Sequence, residues 1–198
     1  MNKINICFVV TVEFAAVNYL KNHIIFLNNT GKFNVTLILN TSNRNKLEVE
    51  FQNIQIIHVN IKRKLNLFLD ILILLKLYKI FKRSNYDIVH SIMPKAGLLA
   101  MMAARFSQIP LRFHTFTGQV WVDSNFVKKS LLKKVDNLIA NSTTFNLTDS
   151  KSQMEFLIRN NIEASNKIAI IGNGSICGFD ESIFIRNEFD RFCCRTHY

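Results

Sequence analysis

Residues Asp87–Trp121 read DIVHSIMPKAGLLAMMAARFSQIPLRFHTFTGQVW, and their reading decides the fold. Asp87 to His90 is a short β-branched run of the kind a buried parallel strand uses. Pro94 stands where a helix can begin, because its missing N–H costs nothing in the first turn. Lys95 to Phe106 is dense in Ala, Gly and Met, so a helix there can lie close against a sheet. Gln108-Ile109-Pro110 closes that helix, and Leu111 to His114 forms the next strand. Each strand is expected to end in a histidine followed by a polar or Gly-containing turn. Ligands of open α/β sheets bind in the crevice beyond the carboxyl ends of the strands. His90 and His114 are therefore expected to point at that crevice.

The segments on either side repeat the strand-helix pattern of a doubly wound, mostly parallel Rossmann-like sheet with helices on both faces. Ile4 to Val10 is a continuous apolar run, read as a central strand. Phe14 to Leu27 follows as a helix with Val17, Leu20, Ile24 and Leu27 on one face, and His23 off that stripe in solvent. The intervening Thr11-Val12-Glu13 has no glycine, which argues against NAD or FAD, since a pyrophosphate site needs close backbone approach there. Val35 to Leu39 and Ile54 to Val59 read as strands, the second with a partly buried His58. Asn40 to Asn53 is a loop or short helix.

Leu65 to Arg83 is a long helix, apolar around most of its girth, with Lys76, Lys79 and Arg83 on one side. It is expected to form a buried layer whose lysines reach out to water. The alternative is a monotopic membrane contact. Its greasiest part, Leu65 to Leu75, is too short to cross a bilayer. Phe126 to Ala140 is a basic amphipathic helix, with Val127, Leu131, Val135 and Leu138 opposite Lys128, Lys129, Lys133 and Lys134. It either packs on the sheet or rests on an anionic membrane, where each lysine adds roughly 1 kcal/mol. Phe145 to Thr148 is a weak strand, Ser150-x-x-Gln153 fits a capping box, and its helix runs to Arg159. Lys167 to Ile171 is the last clear strand, ahead of GNGSICGFD.

At 198 residues the chain fits one domain. Its 25 Lys and Arg against 14 Asp and Glu give +11, which favours an anionic partner. Nucleic acid is not expected, because the lysines sit on helices whose aromatics face inward. Cys7, Cys177, Cys193 and Cys194 match no zinc spacing and are read as reduced thiols. There is no Asp-x-Asp ligand pair, so no metal is expected, and no Ser/His/Asp or Cys/His constellation is evident. The amino terminus reads as a strand rather than a signal peptide, which points to the cytoplasm.

The runs HSIMPKAG, HTFTGQVW, DSKSQMEFLI and IGNGSICGFD, in that order, resemble the amino-terminal domain of family-4-like glycosyltransferases of the GT-B fold. The likeness is to the group that builds bacterial surface polysaccharides such as O-antigen or capsule. It implies two Rossmann-like domains with the active site between them, the first holding the acceptor and the second the nucleotide-sugar donor. Residues 1–184 would be the first domain and 185–198 an irregular tail, so the chain reads as cut short. The implied reaction passes a sugar, with retention, to an acceptor hydroxyl or a lipid-linked saccharide, without a cofactor. Donor binding would need a second domain, and this half is expected to be inactive alone. The alternative is a non-catalytic α/β module that docks on membrane or on a partner chain.

On that reading His114 is the candidate catalytic contact near the reaction centre. His90 and Lys95 line the acceptor side, with Gly97 and Gly118 as backbone spacers. Thr117, Gln119 and Trp121 belong to a loop that could cover a sugar ring. Asn173, Gly174 and Asp180 mark the loop leading towards the second domain, with Ser175-Ile176-Cys177-Gly178 interposed. Phe126 to Ala140 is the route to the inner face of the membrane.

Overall fold

The computed structural model describes residues 3–63, 66–172 and 174–176. Seven strands make one sheet: β1 (Ile4–Val9), β2 (Phe33–Leu39), β3 (Gln55–His58), β4 (Ile88–Ile92), β5 (Leu111–Phe116), β6 (Phe145–Thr148) and β7 (Ile168–Ile170). Their order is β3-β2-β1-β4-β5-β6-β7, and every neighbouring pair is parallel. This is the expected doubly wound α/β fold. The winding reverses between β1 and β4, which places the switch-point crevice at the carboxyl ends of those two strands.

Helices cover both faces. On one side α1 (Glu13–Ala15) passes through π-helical residues Ala16–Leu20 into α2 (Lys21–Asn29), and α3 (Arg44–Glu50) follows β2. On the other lie α4 (Leu67–Ser84), α5 (Pro94–Phe106), α6 (Phe126–Ser142) and α7 (Lys151–Arg159). β1 has strands on both edges and helices on both faces, so its alternate side chains enter two cores. Cys7 and Val9 join the α5 side, and Ile6, Phe8 and Val10 the α2 side. Burial raises the Cys7 thiol pKa and keeps it protonated.

Local chemistry explains the helix ends. Asn66, Asn125 and Ser150 each accept a backbone N–H in the first turn of α4, α6 and α7. The Ser150 half of the expected capping box forms, while Gln153 Oε1 accepts from the N–H of Asp149, one residue before the cap, at 3.0 Å. Asn85 ends α4 in the left-handed region at φ 46°. In the turn after β1, Glu13 occupies the place of a phosphate-binding glycine. Its carboxylate accepts from Thr41 and from the Ser42 N–H at the end of β2, and those bonds hold its pKa low.

In the first helix the expected stripe forms: Leu20 and Ile24 are buried, and Val17 and Leu27 pack half-buried against the same core. Three sequence expectations are corrected. His23 is half-buried rather than solvated, with Nε2 2.6 Å from the Ile176 carbonyl oxygen. His58 ends an edge strand and is exposed, its Nδ1 accepting from the Thr41 N–H at 3.3 Å. α4 is no buried layer: only Leu77 and Phe81 are buried, while Leu67, Phe68, Ile71, Leu72 and Leu75 face outward. It packs chiefly on α5, and among the described residues no layer covers its far side.

This division of α4 gives a direct test. Phe81 is 1% exposed and meets Tyr86 edge-to-face at 6.0 Å, so Phe81→Ala is expected to cost about 3–5 kcal/mol in denaturant unfolding. Phe68 is 71% exposed, so Phe68→Ala is expected to change stability by less than about 0.5 kcal/mol.

Candidate functional site

The two histidines are not brought together. β4 runs on through Ser91 and Ile92, and β5 through Thr115 and Phe116, so neither histidine ends its strand. Register pairs His90 with Phe113 and Ser91 with His114, and side chains alternate faces along a strand. His90 therefore faces the α2 side and His114 the α5 side. His90 Nε2 lies 2.8 Å from Thr115 Oγ1, and its ring meets Phe8 and Phe113. Burial, and then the nearby His23, pushes its pKa down to about 4.

His114 is 1% exposed and lies beneath α5 rather than in the crevice. Its Nδ1 is 2.8 Å from Ser91 Oγ, and Nε2 has no hydrogen-bond partner among the described residues. Burial, and then His90, pushes its pKa down to about 3, so the ring is neutral. Gly97 is the reason the ring fits. A Cβ on that residue would stand 2.5 Å from His114 Cε1, inside van der Waals contact. Gly97 is a spacer, as read from the sequence, but for a protein side chain.

The carboxyl ends of β5 and β6 do form a polar cleft. Thr117, Gly118 and Gln119 line one side, and Asp149, Ser150, Gln153 and Arg159 the other. Gly118 holds φ 121°, a conformation L side chains rarely adopt. Gln119 Nε2 and Asp149 Oδ1 are buried with no partner among the described residues. A buried polar group without a partner is costly and marks a place where a ligand can bond. Burial raises the Asp149 pKa. Of the residues lining this cleft, Thr117, Gly118 and Gln119 were candidates from the sequence and Asp149 was not. The signal available was its position just after β6, at the same level of the sheet.

Trp121 is 1% exposed and does not cover the cleft as an open aromatic. Its Nε1 donates to Asp136 Oδ2 on α6 at 2.7 Å, its ring stacks on Phe156 at 5.3 Å, and Lys133 sits 5.2 Å above it. The indole pins the β5–α6 loop. Gly174, at φ 105°, packs against the Asp149 carbonyl, where a Cβ would meet the oxygen at 2.9 Å. Asn173, Asp180, the tail from 185, and Cys177, Cys193 and Cys194 lie outside the described residues. Lys95, in the first turn of α5, pairs with Asp70 Oδ1 at 2.7 Å, and both side chains are largely buried.

A profile of the family described as Glycosyl transferase 4-like matches residues 5–142, from β1 to the end of α6. The chain belongs to the glycosyl transferase 4-like family. It is 33% identical over 125 residues to the capsular polysaccharide biosynthesis glycosyltransferase CapM of Staphylococcus aureus, covering 63% of this chain and 33% of that protein. It is 31% identical over 113 residues to the Escherichia coli UDP-Gal:alpha-D-GlcNAc-diphosphoundecaprenol alpha-1,3-galactosyltransferase, covering 57% and 29%. The chain thus matches about a third of the length of these curated relatives. A glycosyltransferase from Rickettsia africae superposes with a TM-score of 0.66 at 20% identity, over 98% of this chain and 50% of that one. The UDP-GlcNAc 2-epimerase of Neisseria meningitidis superposes at 0.65 with 16% identity, over 86% and 46%. Such distant likeness establishes the fold alone, since transferases and epimerases share it.

Two outcomes are expected at this family member's buried histidine. Gly97→Ala should cost roughly 1–3 kcal/mol by overpacking. In a double-mutant cycle with His114→Ala, part of that loss should return, because the added methyl then has room. The unfolded chain protonates each histidine near pH 6.5, whereas the folded chain resists until about 4 for His90 and about 3 for His114. Their contribution to stability is therefore complete above pH 6.5 and lost as pH falls through that window. Unfolding followed against pH should show His114→Gln flattening the dependence by about 1.4 kcal/mol per pH unit below 6.5.

Proposed function

We propose that these residues form the acceptor-side domain of a retaining glycosyltransferase. It acts in the transfer of a sugar from a nucleotide-sugar donor to a lipid-linked saccharide during surface-polysaccharide assembly. Family membership and the likeness to the capsular and diphosphoundecaprenol-acting enzymes support the reaction class. The observation that carries the acceptor role is the polar cleft, where the Gln119 amide nitrogen and one Asp149 carboxylate oxygen are buried without a hydrogen-bond partner among the described residues. A sugar hydroxyl donates and accepts at once, so one ring can satisfy a carboxylate oxygen and an amide N–H together. Thr117 and Ser150 hydroxyls flank that pair, and the bare backbone at Gly118 lets a ring approach.

His114 acts here as a positioning residue, holding the first turns of α5 against β5 through Gly97. His90 lines the groove on the α2 face, away from the cleft. The nucleotide-sugar donor is bound by a second domain, and the loop through Gly174 leads towards it. Transfer therefore requires that domain.

No helix among the described residues is long and apolar enough to cross a membrane. The domain works at the cytoplasmic face, resting peripherally on lipid. Phe126, Val127 and Leu131 of α6 and Phe68, Ile71 and Leu72 of α4 are exposed, beside Lys128, Lys134, Lys76 and Lys79. Exposed apolar side chains ringed by lysines suit an anionic bilayer surface.

Two measurements test this reading. The purified 198-residue chain, offered a panel of UDP- and GDP-sugars with membrane extract, is expected to release no UDP or GDP. Release above background overturns the acceptor-half assignment. By ligand-observed NMR, Gln119→Ala and Asp149→Asn should each weaken binding of a GlcNAc-terminated saccharide about tenfold, as expected for a lost hydrogen bond to a buried partner.

A further inference from the structure

A second cleft opens on the other side of the β5–α6 loop, between the amino terminus of α5 and the inner face of α6. It is a cavity of about 480 Å³. Its floor is Thr11, just past the end of β1, which is 1% exposed and whose Oγ1 has no hydrogen-bond partner among the described residues. Its rim is the start of α5, where Met93 takes φ 75° and no side chain caps the helix. Helix amino termini carry positive potential and attract anions. Arg63, Lys95 and Lys128 also line the cavity. Asp70 offsets one of these charges through its pair with Lys95, and its own side faces a separate groove with Lys62 and Lys76. The remaining wall is Leu98, Val120, Leu132 and Val135.

We infer that this cavity seats the diphosphate of a prenyl-linked acceptor, with the first isoprene units lying along Leu98, Leu132 and Val135. The assignment rests on the acceptor reading above and adds the place and the chemistry by which the lipid end is held. An orphaned hydroxyl, an uncapped helix terminus and three cationic side chains converge on an anion. Among the described residues the lining has no aromatic ring to stack a base and no carboxylate to hold a ribose, which disfavours a nucleotide. The apolar wall distinguishes a prenyl diphosphate from a free one. Val120 of the wall is exposed, as are Phe126 and Val127 at the start of α6, whose Lys128 lines the cavity, so a chain leaving it would pass apolar side chains on its way to a membrane. The polar cleft at Gln119 lies across the same loop, placing the sugar of such an acceptor at the strand ends.

Titration calorimetry on the full chain, with farnesyl diphosphate, inorganic diphosphate and farnesol in separate arms, tests the seat. Farnesyl diphosphate is expected to bind at least tenfold more tightly than either of the others. Thr11→Val, which keeps the shape and removes the hydroxyl, should weaken it about tenfold. Lys128→Glu, at an exposed position with no folding role, should weaken it and flatten its salt dependence. Farnesol binding as well as farnesyl diphosphate overturns the anion seat, and inorganic diphosphate binding as well overturns the prenyl wall. Unchanged affinity in both variants overturns the location. Saccharide binding at the polar cleft without farnesyl diphosphate binding sinks this inference alone, leaving the acceptor role intact. Farnesyl diphosphate binding without saccharide binding does the reverse.

Discussion

The backbone of Gly97 rests against the ring of His114, and the distance between α5 and the middle of the sheet follows from that contact. Only a residue without a Cβ allows it. Once α5 is that close, Ala96, Ala100, Ala103 and Ala104 pack flat against the strands, with Leu99 and Met101 filling the gaps. α4 and α6 then pack on either side of α5, and the first turn of α5 is carried to the end of β1. Both clefts depend on this placement, because each is bounded by the β5–α6 loop that α5 and α6 hold between them. A charged imidazolium would not survive beneath the helix. Burial keeps the ring neutral and makes this contact the most pH-sensitive part of the core.

The two clefts differ in chemistry because different elements end there. At β5 and β6 the strand ends bring side-chain amide, carboxylate and hydroxyl groups, which suit a polyol. At β1 and α5 a buried hydroxyl and a helix terminus meet cationic side chains and an aliphatic wall, which suits an anion with an apolar tail. Between them Trp121 fixes the loop by its bond to Asp136 and its stack on Phe156. A lone tryptophan near a sugar site invites a stacking role, yet here it is structural, since burial of the indole and satisfaction of its N–H on α6 leave no face for a ligand. The excess of lysine is spread along the outer faces of α4 and α6, where it can meet anionic lipid without entering the core.

Much of the fold was legible in the chain. Period-2 and continuous apolar runs located the strands, and the Pro and Ser signals located two helix starts to within a residue or two, at Pro94 and Ser150. The polar loop Thr117-Gly118-Gln119 was legible too, because glycine between polar residues after a strand has few other uses. His90 and His114 were misplaced for a specific reason. Ile92, Thr115 and Phe116 have strand-forming side chains, yet the turns signalled by Pro94 and Gly118 drew the expected strand ends back to the histidines, and pairing with neighbouring strands extends each strand two residues further. The long helix was misjudged because its apolar girth says nothing about how many neighbours it will find.

The sequence by itself determined the type of most elements and the doubly wound α/β class, which rest on patterns within about twenty residues, and the family, which rests on motifs spread in order along the chain. The tertiary structure alone decided which polar groups were left without partners. Thr11 and Asp149 look unremarkable in the chain, and His114 looks functional. Strand register, the face each side chain takes and the closeness of α5 reverse that ranking. Those quantities arise from contacts between segments far apart in sequence, such as Ser91 with His114 and Glu13 with Thr41. A hydrogen bond satisfied across such a distance leaves no local trace, and neither does one left open.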